Sequence, residues 1–157
     1  MVKQSLPPLY LIVQDVRSLF NVGSLFRTSD AFGVTKMYLT GITGRPPRQE
    51  ISKTALGAEL TVPWEYSRQT LPLLKRLRAG GVRIVALETG RRSIALVQYH
   101  PQFPLALVCG HEVRGVSPAV LRFADDVVSI PMLGEKESLN VSVAAGVALY
   151  ALRCGGA

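Results

Sequence analysis

Short apolar runs alternate with stretches of helical periodicity along the whole chain. LYLIVQD (9–15) is an apolar run that ends in polar residues, which predicts a buried strand. Immediately after it, Val22, Leu25, Phe26 and Ser29, followed by Phe32 or Gly33, recur at i, i+3, i+4 and i+7. This spacing predicts a helix within residues 18–33, with Asn21 as N-cap and Gly33 as the stop. KMYLTG (36–41) predicts the next strand, and the Gly- and Pro-rich GITGRPPRQE after it predicts a loop. ISKTALGAE then predicts a short helix and TVPWEY a strand, while leucines at 71, 74 and 77 predict an amphipathic helix over 68–79 that ends at Gly80–Gly81.

RIVALE (83–88), LALVCG (105–110) and DVVSIP (126–131) predict three further strands. Between the last two, SPAVLRFA (117–124) opens with Ser117 as N-cap and proline at the first helical position. The chain closes with SLNVSVAAGVALYALR (138–153), a helix apolar on nearly every side, with Ser138 expected to cap it. So little polar surface requires burial within the domain or against another chain. Strands alternating with helices predict an α/β fold with a mainly parallel sheet flanked by helices.

Composition narrows this to a compact globular class. At 157 residues the chain is expected to form a single domain over 1–157, and 48% hydrophobic with 18% charged residues excludes a disordered chain or a coiled coil. No apolar run approaches the roughly 20 residues a bilayer requires, so no membrane span is expected. MVKQSLPPLYLIVQD lacks a small-residue cleavage site, so no secretory leader is expected and the protein reads as cytoplasmic. Cys109 and Cys154 stand in no Cys-x-x-Cys pattern, which argues against a zinc site or a disulfide framework. A formal charge of +7 favours a polyanionic partner, RNA or DNA first.

Three segments place glycines and polar side chains at or just after strand ends, where open α/β sheets bind ligands. In NVGSLFR (21–27), Gly23 and Arg27 share a helix face, and the missing side chain at 23 is expected to leave room for a ligand beside the guanidinium. The ordinary alternative is a surface salt bridge. In LVCGHEVRG (107–115), Gly110 permits close backbone approach, Glu112 offers a carboxylate, and Gly115 suits a turn. His111 is a conceivable general base there, although isolated loop histidines more often have no catalytic role. In SIPMLGEKESLNVSVAAG (129–146), the start of the last helix would present free N–H groups to an anion, unless simple capping consumes them.

Taken in order, these segments resemble the SpoU family of RNA 2′-O-ribose methyltransferases, within the SPOUT superfamily. The family's N-x-G-x-x-x-R stands as Asn21, Gly23 and Arg27, and its G-x-E-x-x-G as Gly110, Glu112 and Gly115. Its third motif, I-P-M followed by S-L-N-V-S-x-A, stands as Ile130-Pro131-Met132 and Ser138 to Ala144. The likeness covers nearly the whole chain. His111 and Val113 occupy positions where many members carry other residues, which bears on substrate choice more than on chemistry.

The resemblance implies a SPOUT α/β-knot fold with a C-terminal trefoil knot, and S-adenosylmethionine as the cofactor. Its contacts would come from Leu87, Gly110, Ile130, Met132, Ser138 and Leu139, largely through backbone groups, and no metal would be needed. A ribose 2′-hydroxyl of transfer or ribosomal RNA would attack the activated methyl group. Arg27 would be the catalytic residue. A guanidinium gives up its proton only with great difficulty, so stabilising the developing alkoxide or clamping a phosphate is chemically easier than acting as base. Glu112 would orient Arg27 or the substrate, and Asn21, Ser138 and Asn140 would supply neutral hydrogen bonds.

The resemblance also implies a homodimer with the last helix in its interface. RNA contacts are expected at Arg45, Arg48, Arg91 and Arg92, and no added RNA-binding domain is expected. The third motif looks more like that of members that modify guanosine in tRNA or large-subunit rRNA than like the short wobble-position enzymes. Two other readings compete: a non-catalytic RNA-binding module of the same fold, and a Rossmann-type oxidoreductase. The latter requires a G-x-G-x-x-G after the first strand, which is absent.

Overall fold

A computed structural model describes residues 5–155; the part of the leader reading that falls on residues 1–4 lies outside them. Seven strands form one sheet: β1 (Leu9–Gln14), β2 (Lys36–Thr40), β3 (Trp64–Ser67), β4 (Arg83–Leu87), β5 (Ile94–Ala95), β6 (Leu105–Cys109) and β7 (Asp126–Ser129). They lie in the order β3-β2-β1-β6-β4-β7-β5, and every paired strand is parallel. Six helices connect them: α1 (Leu19–Ala31), α2 (Gln49–Ala55), α3 (Ala58–Thr61), α4 (Thr70–Ala79), α5 (Pro118–Phe123) and α6 (Val141–Cys154).

The central strands are apolar on both faces because both faces are covered. In β1 and β6, Leu9, Leu11, Val13, Leu105, Leu107 and Cys109 point into the core shared with α1, α2 and α6. The alternate residues Ile12, Ala106 and Val108 pack against Leu73, Leu74 and Leu77 of α4 and Val120 of α5. The chain winds outward from β1 through β2 to β3, then returns to build β4, β6 and β7 on the other side. That reversal of winding lies between β1 and β6.

Local chemistry moves several boundaries from their sequence-based places. Helix α1 starts at Leu19 with Ser18 as N-cap, not Asn21, because the Ser18 side chain accepts the Asn21 N–H. Helix α6 starts at Val141 with Asn140 as N-cap, so Ser138 and Leu139 precede the helix instead of opening it. The segment expected as one helix over 51–59 is two, broken where Leu56 (φ 51°) and Gly57 (φ 93°) enter the left-handed region. The two-residue β5 and the single 3-10 turn Leu96–Gln98 carry too little periodicity to be seen in the sequence.

Candidate cofactor pocket

Strands β4, β6 and β7 end side by side, and the loops that leave them line a cleft open to solvent. Leu87, Glu88 and Thr89 line it from β4, Cys109, Gly110, His111 and Gly115 from β6 and its loop, and Ser129, Ile130 and Met132 from β7. Ser138, Leu139, Val141 and Ala144 close it from the start of α6. All six residues expected at a cofactor, Leu87, Gly110, Ile130, Met132, Ser138 and Leu139, are therefore brought together here.

Glu88, which sequence reasoning missed, shapes the cleft. Its carboxylate accepts the Val116 N–H at 2.9 Å and the Thr89 N–H at 2.9 Å, tying the end of β4 to the loop after β6. Gly115 lies against it with φ 68°, and a Cβ there would overlap the carboxylate. Gly110 meets the backbone of Gly115 and Val116 at a distance that no side chain permits. Its close approach is thus to its own loop. Cys109 is fully buried at the base of the cleft, and burial pushes its thiol up to about 12, so it is a neutral wall.

The turn over 111–115 is closed by paired backbone bonds between His111 and Gly115. Inside it, His111 Nδ1 accepts the N–H groups of Val113 at 3.0 Å and Arg114 at 3.1 Å. With Nδ1 accepting, the neutral ring carries its proton on Nε2, so neither nitrogen can act as a base without breaking the turn. That removes His111 as a general base.

Glu112 points away from the cleft. Its carboxylate accepts the backbone N–H groups of Arg17 (3.0 Å) and Ser18 (2.9 Å) and the side-chain amide of Asn21 (3.3 Å). Partial burial alone would raise its pKa, but the hydrogen bonds from Ser18, Arg17 and Asn21 hold the carboxyl below its usual range. It therefore anchors the entry to α1 and has no bond to Arg27. Asn21 in turn accepts from Asn140 Nδ2 at 3.2 Å. Asn140 Oδ1 accepts the N–H groups of Ser142 and Val143, so capping consumes two of the donors that an anion would have used.

Arg27 lies on the exposed side of α1, outside the lining of the cleft, and no ion pair holds it among the described residues. The space expected beside it at Gly23 is absent. Gly23 is buried, and a Cβ there would overlap the Ile51 carbonyl oxygen and the Thr54 hydroxyl of α2. The glycine brings two helices into contact. Among the described residues no group of three or more His, Cys, Asp or Glu is placed to hold a metal, and no helix is long and apolar enough to cross a membrane.

A parallel sheet with reversed winding and a cleft beyond the carboxyl ends of its strands defines an α/β protein, the class whose ligands bind at that edge. The chain belongs to the SpoU rRNA Methylase family, whose model matches residues 8–150. It is 34% identical over 149 residues to the 23S rRNA (guanosine-2′-O-)-methyltransferase RlmB of Neisseria meningitidis, covering 94% of this chain and 58% of that protein. It is 32% identical over 142 residues to the tRNA (guanosine(18)-2′-O)-methyltransferase of Aquifex aeolicus, covering 90% of this chain and 67% of that one. Among solved structures, the AdoMet-bound rRNA methyltransferase from Sinorhizobium meliloti superposes with a TM-score of 0.87 at 28% identity, over 93% of this chain and 56% of that chain. This chain thus spans little more than half the length of several of these relatives.

Proposed function

We propose that this chain is an S-adenosylmethionine-dependent methyltransferase acting on a ribose 2′-hydroxyl of tRNA or rRNA. The observation that carries the reading is the convergence of Leu87, Gly110, Ile130, Met132, Ser138 and Leu139 on one cleft at the carboxyl edge. The residues present fit the cofactor. The cleft's apolar walls suit an adenine ring, with strand-end backbone groups and the Glu88 carboxylate among them. When bound, S-adenosylmethionine supplies a methyl group already activated by its sulfonium, so no metal is required. The names of the rRNA and tRNA methyltransferase relatives support the substrate class.

Arg27, exposed and outside the cleft of its own chain, is available to a substrate phosphate or a developing alkoxide. Glu112, Asn21 and Asn140 position it indirectly by fixing the start of α1 against the loop after β6 and the start of α6. Ser138 is the catalytic-motif residue that reaches the cleft wall itself.

The protein acts as a homodimer in this reading. Helix α6 buries Ala145, Ala148, Leu149 and Leu152 but leaves Val143, Val147 and Tyr150 exposed at 52%, 42% and 58%, beside Phe32 of α1. A second copy covering this apolar face would bring Arg27 toward the partner's cleft. RNA is gripped by Arg45, Arg48, Arg91 and Arg92, all exposed in loops that follow β2 and β4 and so lie at the carboxyl edge. Arg45 is held ready by stacking on the Tyr66 ring at 4.0 Å. The insertion of β6 beside β1 and of β7 beside β4 supports the C-terminal trefoil knot, and the chain works in the cytoplasm, where its RNA substrates are.

Calorimetry with S-adenosylmethionine tests the reading. Saturable one-site binding is expected. No binding at millimolar cofactor would leave the non-catalytic RNA-binding module as the better account. RNA affinity should fall steeply with added salt and lose that slope as the four arginines are removed.

A further inference from the structure

We propose that His111 is a positioning residue: its imidazole Nδ1 holds the 111–115 turn in the shape that lines the cleft, so cofactor binding weakens when that acceptor is lost. The inference rests on the reading of the cleft as the S-adenosylmethionine site. Three observations carry it. His111 Nδ1 accepts two backbone N–H groups, from Val113 and Arg114, inside a turn of its own making. The same turn supplies Gly110, His111 and Gly115 to the cleft wall. Its outer side carries Glu112, which holds the start of α1 through Arg17 and Ser18. One ring nitrogen thus sets the shape of a loop that joins the cleft to the helix bearing Arg27.

Without that acceptor the N–H groups of Val113 and Arg114 must find water, so the turn opens and the wall that it supplies to the cleft is lost.

The test is titration calorimetry of S-adenosylmethionine on the wild type, His111→Asn and His111→Ala, with circular dichroism to establish folding. An asparagine side-chain oxygen can accept the same two N–H groups. His111→Asn should bind within about threefold of wild type, while His111→Ala should be weaker by roughly tenfold, as loss of about one net hydrogen bond implies. Wild-type affinity in His111→Ala, or a loss in His111→Asn as large as that expected of His111→Ala, overturns the inference. If His111→Ala does not fold, a roughly tenfold loss in His111→Asn still overturns it and its rescue of binding supports it. Absence of wild-type binding would instead defeat the cofactor reading, and this inference with it.

Discussion

Asn140 donates from its side-chain amide to the side-chain oxygen of Asn21 at 3.2 Å, across 119 residues of sequence. Asn21 passes the link to Glu112 with its own amide, and Asn140 spends its oxygen on the first turn of α6. The start of α1, the loop after β6 and the start of α6 are therefore one hydrogen-bonded unit.

This unit is expected to be energetically coupled. Asn140→Ala should cost about 1 kcal/mol through the lost cap alone. In urea unfolding, a double-mutant cycle with Asn21→Ala should return a coupling of roughly 0.5–1.5 kcal/mol. Strict additivity would show that the amide contact contributes nothing.

Gly23→Ala should destabilise the fold although it improves intrinsic helix propensity. The new methyl group meets a backbone carbonyl of α2 that cannot move aside alone, so a loss of about 1–3 kcal/mol is expected from the shift in unfolding midpoint.

Arg153 fastens the end of α6 to the end of α1, donating to the carbonyl oxygens of Phe32 at 2.9 Å, Gly33 at 2.6 Å and Pro7 at 2.6 Å. Arg153→Met keeps most of the stem but leaves three carbonyls without this donor. A loss of about 2–3 kcal/mol is expected in urea unfolding, and Arg153→Lys should recover only part of it because an ammonium lacks the planar fork.

The alternation of strands and helices was legible because β1, β4 and β6 are short apolar runs and α1 and α4 carry clear 3.6-residue stripes. The cleft residues were legible only through the order of the three motifs, since Leu87, Ile130 and Leu139 look like core residues in isolation. Asn21 suits an N-cap locally, yet its side chain is claimed by Glu112 and Asn140, contacts no local pattern can announce, while α6 is capped by Asn140, two residues past the equally suitable Ser138. Gly23 misled in the same way, because the partner that requires a glycine is α2, about thirty residues further on. Glu88 had only its place at the end of β4 to mark it.

Acid should destabilise the protein partly through Asp126. Its bidentate pairing with Arg83, at 2.7 and 3.1 Å, holds its carboxyl below the usual range, and the Tyr99 hydroxyl adds a bond at 2.8 Å. A carboxyl depressed in the folded state contributes stability that is present above its unfolded pKa, near ~3.9, and is lost as pH falls through the lower folded value. Asp126→Asn should lower stability near neutral pH and flatten the decline below about pH 4, as read from unfolding midpoints against pH.

Transfer of a labelled methyl group from S-adenosylmethionine to RNA tests the central claim most directly. Wild-type protein incubated with tRNA or rRNA should yield 2′-O-methylated nucleotides after digestion. Arg27→Ala should lower that yield by at least about a hundredfold, the usual scale for removing a charge-stabilising donor, with cofactor affinity nearly unchanged because Arg27 lies outside the cleft. Label found on a base instead of a ribose hydroxyl, or wild-type turnover in Arg27→Ala, would contradict the account.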